Sequence, residues 1–324
     1  MGTVLAVIRE IFPSKPTWGV DDIPDLKGKV FLVTGGNAGV GKETVKALLQ
    51  HNARVYIAAR SQAKAAEAIA DLKASTGKEA LFLQLDLSDL RSVEESAKTF
   101  IEKEKELHVL INNAGVMMPP LDQLTKDGYD LQFGTNVLGH FLFTKLLLPT
   151  LLASSTPSAP ARIVTVASTG ALLSGRVDYA TLTAGPARTR LGKQGLYIQS
   201  KLANVIVSQE LARQYGNRGI VSASLNPGTL KTDLYRHSDG AVLRFIQNLI
   251  THPVEFGALT PLYVATHPDG AAFNGQFFVP WAQQGKLHPQ PRDPALGKEL
   301  WEWLEAQVAA VSDEPASQAE QVRT

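Results

Sequence analysis

From residue 29 onward, short runs dense in Val, Ile and Leu alternate with longer mixed stretches. The runs 29–34, 54–59, 80–85, 108–112, 162–167 and 220–225 read as strands. They show little polar alternation, as expected of parallel strands whose two faces are both covered. Helices are expected at 40–51, 62–75, 90–106, 128–152 and 195–215, with a further strand at 276–279 and a last helix at 294–310. Strand–helix–strand repetition at this spacing predicts an α/β fold built on one doubly wound parallel sheet flanked by helices.

Three segments break the pattern. Residues 1–25 form a leader interrupted by Pro13, Pro16 and Pro24, ahead of a single domain expected over 26–311, and residues 312–324 make a polar tail with little to bury. Between a strand and a helix, 172–194 mixes polar residues with Gly and Pro; with 234–249 it is the expected substrate lid. In the leader, Val4, Leu5, Val7, Ile8, Ile11 and Phe12 share one side of a short helix. Two readings of residues 3–12 stay open: docking on the chain's own domain, or a peripheral contact with an intracellular membrane. The segment lacks the basic start and cleavage site of a signal peptide.

Composition narrows the function classes. Apolar residues make up 44% and charged residues 19% of the 324, as in an ordinary globular protein. A net charge of +1 supplies no overall attraction for nucleic acid. The absence of Cys excludes disulfides, thiolate metal sites and a Cys nucleophile. No H-E-x-x-H or G-x-S-x-G string occurs, so neither a metal site nor a hydrolase elbow is expected. His140, on a helix, reads as a packing residue. The expected location is cytoplasmic.

The first strand runs into Thr34-Gly35-Gly36-Asn37-Ala38-Gly39-Val40-Gly41 and then a helix. Glycines crowded into such a turn let backbone N–H groups approach a pyrophosphate at the helix N-terminus. Gly35, Asn37, Gly39, Val40 and Gly41 are therefore candidate cofactor contacts in a Rossmann-type fold. At the end of the second strand, where a carboxylate would bind the ribose 2′-hydroxyl of NAD, stands Ala59, followed by Arg60. A guanidinium there suits the 2′-phosphate of NADP.

Tyr197 and Lys201 lie four apart, on one face of a helix. A phenol with a pKa near 10 is a poor acid/base at neutral pH, but an ammonium ~5 Å away favours its ionised form by roughly 3 kcal/mol. Ser168 follows the strand 162–167, at the carboxyl end where open α/β sheets bind ligands. Singly, Ser168 reads as a turn serine and Asn136 as a polar residue that distorts its helix. Their fixed order on the right elements is what carries chemistry.

With these residues in place, the chain resembles the short-chain dehydrogenase/reductase superfamily from about residue 26 to 279, in its retinol-dehydrogenase-like or WW-domain-oxidoreductase-like branch, fungal members included, but without a WW module. Thr34–Gly41 resembles its cofactor glycine motif, Asp86-Leu87 its adenine contact, and Asn112-Asn113-Ala114-Gly115 its fourth-strand motif. Pro227-Gly228, with Leu230 and Thr232, resembles its nicotinamide-side loop. The resemblance implies an NADP(H)-dependent oxidoreductase with the tetrad Asn136, Ser168, Tyr197 and Lys201. Tyr197 is then the acid/base, Lys201 holds the nicotinamide ribose, Ser168 bonds the reacting oxygen and Asn136 anchors a water. No metal is implied.

Ser168 and Tyr197 lie 29 positions apart, farther than in compact members, and this leaves monomer and homodimer both open. Leu172, Leu173, Tyr179, Leu234, Tyr235, Phe245 and Ile246 offer an apolar lid with few charges, so a lipophilic ketone, aldehyde or alcohol is the expected substrate. The competing reading is a catalytically silent NADP(H)-binding regulatory or scaffold protein.

Overall fold

The expected strands align into one sheet of eight. In the computed structural model, which describes residues 10–230, 251–287 and 290–312, these are β1 (Val30–Thr34), β2 (Arg54–Ala59), β3 (Leu81–Gln84), β4 (Val109–Asn112), β5 (Ala161–Val166), β6 (Ile220–Leu225), β7 (Phe277–Val279) and β8 (Gln283–Gln284). Their order is β3-β2-β1-β4-β5-β6-β7-β8. All pairs are parallel except β7 with β8. The order reverses between β1 and β4, which opens a crevice at their carboxyl ends.

Successive strand residues feed opposite cores, as strand geometry requires. Leu32, Leu110 and Ile163 face a core built with α3 (Leu90–Lys103), α4 (Leu131–Ser154), α5 (Pro186–Tyr215) and α7 (Pro294–Ser312). Val33, Ile111 and Val164 face the other, built with α1 (Gly39–Gln50) and α6 (Val254–Thr266). α2 (Gln62–Thr76) starts where the Ser61 hydroxyl accepts the Lys64 N–H and stops at Gly77, whose φ of +71° ends the helix. α4 is apolar and long enough to cross a membrane, yet 67% of its apolar stretch is buried inside the fold, so it serves as a core helix.

Several elements differ from expectation. α5 begins at Pro186 rather than 195: Pro186 occupies the first turn, and a break at Gly192 (φ +71°) hides the helix in a Gly- and Pro-rich stretch. α6 went unpredicted because Pro261 lies inside it, and β8 because two glutamines carry no strand pattern. α4 begins at Leu131, where Asp130 accepts the N–H groups of Gln132 and Phe133, and it widens to a π-turn over Gly134–Leu138. That widening falls on Asn136, the residue read as a source of helix distortion.

The described part of the leader lies on the domain. Trp18 is buried edge-on against Tyr263 at 5.4 Å, and the Ser14 hydroxyl accepts from Gln283. Residues 3–9 of the leader's apolar side, the lid residues 234–249 and Thr232, and tail residues 313–324 lie outside the described residues.

Candidate active site

The crevice holds a cavity of about 650 Å³. One wall is the glycine turn. Gly35 (φ +66°) and Gly39 (φ +53°) take backbone conformations that a side chain would strain. A Cβ on Gly41 would sit 2.4 Å from the Gly35 carbonyl oxygen and 2.6 Å from Asn113 Nδ2. Ala38, the residue that opens α1, has no side chain to cap its first N–H groups. A helix N-terminus with no side-chain cap, beside glycines that leave no room for a Cβ, fits a pyrophosphate.

Gly35, Asn37, Gly39, Val40, Gly41, Arg60, Asn113, Ala114, Gly115, Ser168, Tyr197, Lys201, Pro227, Gly228 and Leu230 all line this cavity. Asp86 and Leu87 do not. Asp86 turns its carboxylate back onto the Ser88 N–H (3.0 Å) and hydroxyl (2.7 Å), and Leu87 is buried with its carbonyl against Gly139.

The opposite wall carries the acid/base groups. Lys201 is buried, its Nζ donating to the Val166 carbonyl at 3.0 Å and lying 5.9 Å from the Tyr197 ring centroid. Burial pulls its ammonium down to about 8. Ser168 Oγ accepts the Gly170 N–H at 3.2 Å, which leaves its own hydrogen to donate. Gly170 separates Ser168 from Tyr197: a Cβ there would lie 3.7 Å from Ser168 Oγ and 3.8 Å from Tyr197 Cε1.

Asn136 stands behind the cavity wall, fully buried. Its Oδ1 accepts the Val116 N–H (2.8 Å), and its Nδ2 donates to the Val116 carbonyl (3.0 Å) and to Ser200 Oγ (3.1 Å). Ser200 in turn donates to the Tyr197 carbonyl at 2.7 Å. The side chain thus fastens the 113–116 segment to the helix that carries Tyr197 and Lys201.

Of the expected apolar lid residues that are described, Leu173 lines the cavity, joined by Gln194 from the end of the same segment. Leu172 is buried, and Tyr179 packs on Trp303 at 5.5 Å, because the short helical turns after Ser168 fold this stretch onto α5 and α7. Buried Arg188 pins it further, through Asp130 Oδ2 at 2.9 Å. The sequence reading missed Ser61, Lys64, Met117, Met118, Ile198 and Asn226 as lining residues. Ser61-x-x-Lys64 carried a signal, a helix-capping serine and a cation following Arg60; the others carried none.

The comparisons agree with this geometry. The short chain dehydrogenase family profile matches residues 29–241. A short-chain dehydrogenase/reductase of Armillaria gallica is 54% identical over 307 residues, covering 95% of this chain and 99% of the relative. Retinol dehydrogenase 11 of Mus musculus is 40% identical over 283 residues, covering 86% and 85%. A short chain dehydrogenase from Burkholderia cenocepacia, solved in complex with NADP, superposes with a TM-score of 0.62 at 28% identity, covering 80% and 98%. With the reversed strand order, the glycine turn and the Ser–Tyr–Lys wall around one cavity, the chain belongs to the short-chain dehydrogenase/reductase family of oxidoreductases, in its retinol-dehydrogenase-like branch.

Proposed function

We propose that the protein moves hydride between NADP(H) and the carbonyl or alcohol carbon of a lipophilic ketone or aldehyde. The observation that carries this reading is that Ser168, Tyr197 and Lys201 line the same cavity as the glycine turn. When bound, NADP(H) supplies or takes up the hydride. Tyr197 gives its phenolic proton to the carbonyl oxygen as that oxygen gains charge, or removes the alcohol proton in the reverse direction. Ser168 donates a hydrogen bond to the same oxygen and holds it beside Tyr197. Lys201 contributes positive charge that favours the phenolate and a donor for the nicotinamide ribose. Asn136 holds the wall through Val116 and Ser200.

NADP(H) is preferred over NAD(H) because Arg60, Ser61 and Lys64 line the cavity beyond Ala59, with no carboxylate at that position to bind a ribose diol. Similar structures were solved with NADP and, in a Brucella melitensis reductase, with NADH, so the choice rests on this chain's own patch. Substrate class follows from Met117, Met118, Leu173 and Ile198 in the lining, which offer apolar contact and no charge to anchor a small acid.

The test is a panel of lipophilic ketones, aldehydes and alcohols followed at the NADPH absorbance band in both directions. Turnover in the wild type that drops to background in Tyr197→Phe, with NADPH still bound, is the expected result. Equal background rates in both proteins would leave a cofactor-binding scaffold instead.

A further inference from the structure

Three side chains from distant parts of the chain meet beside the reacting centre. Asn226, the residue after β6, directs its amide nitrogen to Glu10 Oε2 at 2.7 Å and to Thr169 Oγ1 at 2.6 Å. The Thr169 hydroxyl, to which Asn226 also donates, lies beside the same carboxyl and favours its charged form. Glu10 and Asn226 are 6% and 2% exposed, so water does not substitute for these bonds.

Each of the three touches a different part of the site. Thr169 directly follows Ser168. Asn226 lines the cavity, and its Oδ1 accepts the Gly228 N–H at 3.0 Å, holding the turn in which Gly228 has a φ of +93°. Glu10 belongs to the leader, which reaches the domain a second time through the Ile11 carbonyl, 3.3 Å from His252 Nε2. Docking the leader needs no acid, since Trp18 and Ile23 already bury apolar surface. A buried carboxyl is costly unless its hydrogen bonds are made. Burial pushes the Glu10 carboxyl up, and Thr169 and Asn226 oppose that shift. What the carboxyl supplies is an acceptor for the Asn226 amide, which in turn reaches Thr169 and so ties two separate loops to the leader.

We propose that Glu10 is a positioning residue of the active site, locking the Ser168–Thr169 turn to the Asn226–Gly228 turn so that the nicotinamide end of the cofactor is held in register with the Ser168 hydroxyl. This rests on the reading above, in which that end of the cavity receives the nicotinamide. The glycine turn and Arg60 grip the other half of the dinucleotide, so the lock affects one half of the ligand only.

The experiment compares binding of NADPH and of 2′-phospho-ADP-ribose, which lacks the nicotinamide, to the full-length wild type, Glu10→Ala and Glu10→Gln. Titration calorimetry reads both nucleotides without a substrate. Glu10→Ala is expected to weaken NADPH about tenfold while leaving 2′-phospho-ADP-ribose unchanged. Glu10→Gln, whose amide oxygen still accepts, recovers most of that loss. Unchanged NADPH affinity in Glu10→Ala, an equal loss for both nucleotides, or a glutamine no better than alanine overturns the lock. A wild type that binds neither nucleotide overturns the dinucleotide reading itself, and the lock with it.

Discussion

The imidazole of His140 bridges to Thr34: its Nε2 stands 2.8 Å from Thr34 Oγ1, while its Nδ1 lies 3.1 Å from the Asn136 carbonyl oxygen. A carbonyl only accepts, so Nδ1 carries the hydrogen and Nε2 receives the Thr34 hydroxyl. Thr34 Oγ1 also accepts the N–H groups of Asn113 and Ala114, each at 2.9 Å. One neutral ring therefore joins the end of β1, the 113–115 turn and the π-widened part of α4. His140 is buried, as a packing residue would be, but it works as a hydrogen-bonded tie.

This tie has a pH signature. Burial takes the His140 imidazole from its usual 6.5 down to about 4. The unfolded chain thus binds the proton first, and the stability contributed by this site is complete above about 6.5 and drains away as pH falls toward about 4. Urea unfolding should show a loss of roughly 2 kcal/mol between pH 7 and pH 5 from this residue alone. His140→Phe should begin about 1–3 kcal/mol less stable at pH 7 and lack that component of the slope. Parallel pH curves for the two proteins would refute the assignment.

Arg188 and Asp130 form a buried ion pair at 2.9 Å, with side chains only 7% and 1% exposed. Arg188 also donates to the carbonyls of Leu121 and Gln123, and Asp130 caps α4 through Gln132 and Phe133. Removing the cation leaves a buried carboxylate uncompensated. Arg188→Met should cost about 3–5 kcal/mol in chemical denaturation, well above the cost of losing an exposed pair such as Lys73–Glu79. A loss below about 1 kcal/mol would show that the pair contributes no more than a surface contact.

Lys201 should make cofactor binding sensitive to mild alkali. Its ammonium, lowered to about 8 by burial, loses its charge as pH rises through that value, and a neutral amine donates to a ribose hydroxyl more weakly than an ammonium. NADPH affinity should therefore fall above about pH 8 in the wild type, with no such limb in Lys201→Met. Fluorescence titration of NADPH at pH 6.5, 7.5, 8.5 and 9.5 measures this. An affinity flat across that range would mean that the charge of the amine contributes nothing to cofactor binding.

What the sequence made legible follows from how far each signal depends on neighbours in the chain. β1 to β7 announced themselves as apolar runs, most continuously in β1, β4 and β6, which are buried on both faces. The glycine turn was readable because tight approach excludes side chains, as the Gly41–Gly35 distance demonstrates. Tyr197 and Lys201 were readable because one helical turn brings them together whatever surrounds them. Asp86 stood out only through the resemblance; in the fold its Oδ1 accepts from Ser88, and it lies outside the cavity lining. Tyr179 looked like lid, but Trp303, more than a hundred residues away, gives it a packing site. Glu10 and His140 act through partners that only the fold brings near, and no local pattern distinguishes them from any helical Glu or His.

The choice between NADP and NAD turns on a small patch at the end of β2. Arg60 is exposed and follows the buried Ala59; Ser61 spends one lone pair on the α2 cap, and Lys64 lies one turn into that helix. A 2′-phosphate placed there would meet two cations and a hydroxyl, whereas a bare ribose would meet no carboxylate to bind its diol. Wild type should bind NADPH more tightly than NADH. Arg60→Ala should lose about 10–100-fold in NADPH affinity, the worth of a charge-assisted hydrogen-bond pair, and leave NADH unchanged. Lys64→Ala should lose less, since a single flexible ammonium grips a phosphate less well than a guanidinium fork. Because both cations are exposed, raising the salt concentration should erode the preference for NADPH while barely touching NADH. Equal affinity of the wild type for the two nucleotides at low salt would refute the assignment of this patch, whatever the fate of Tyr197 and Lys201.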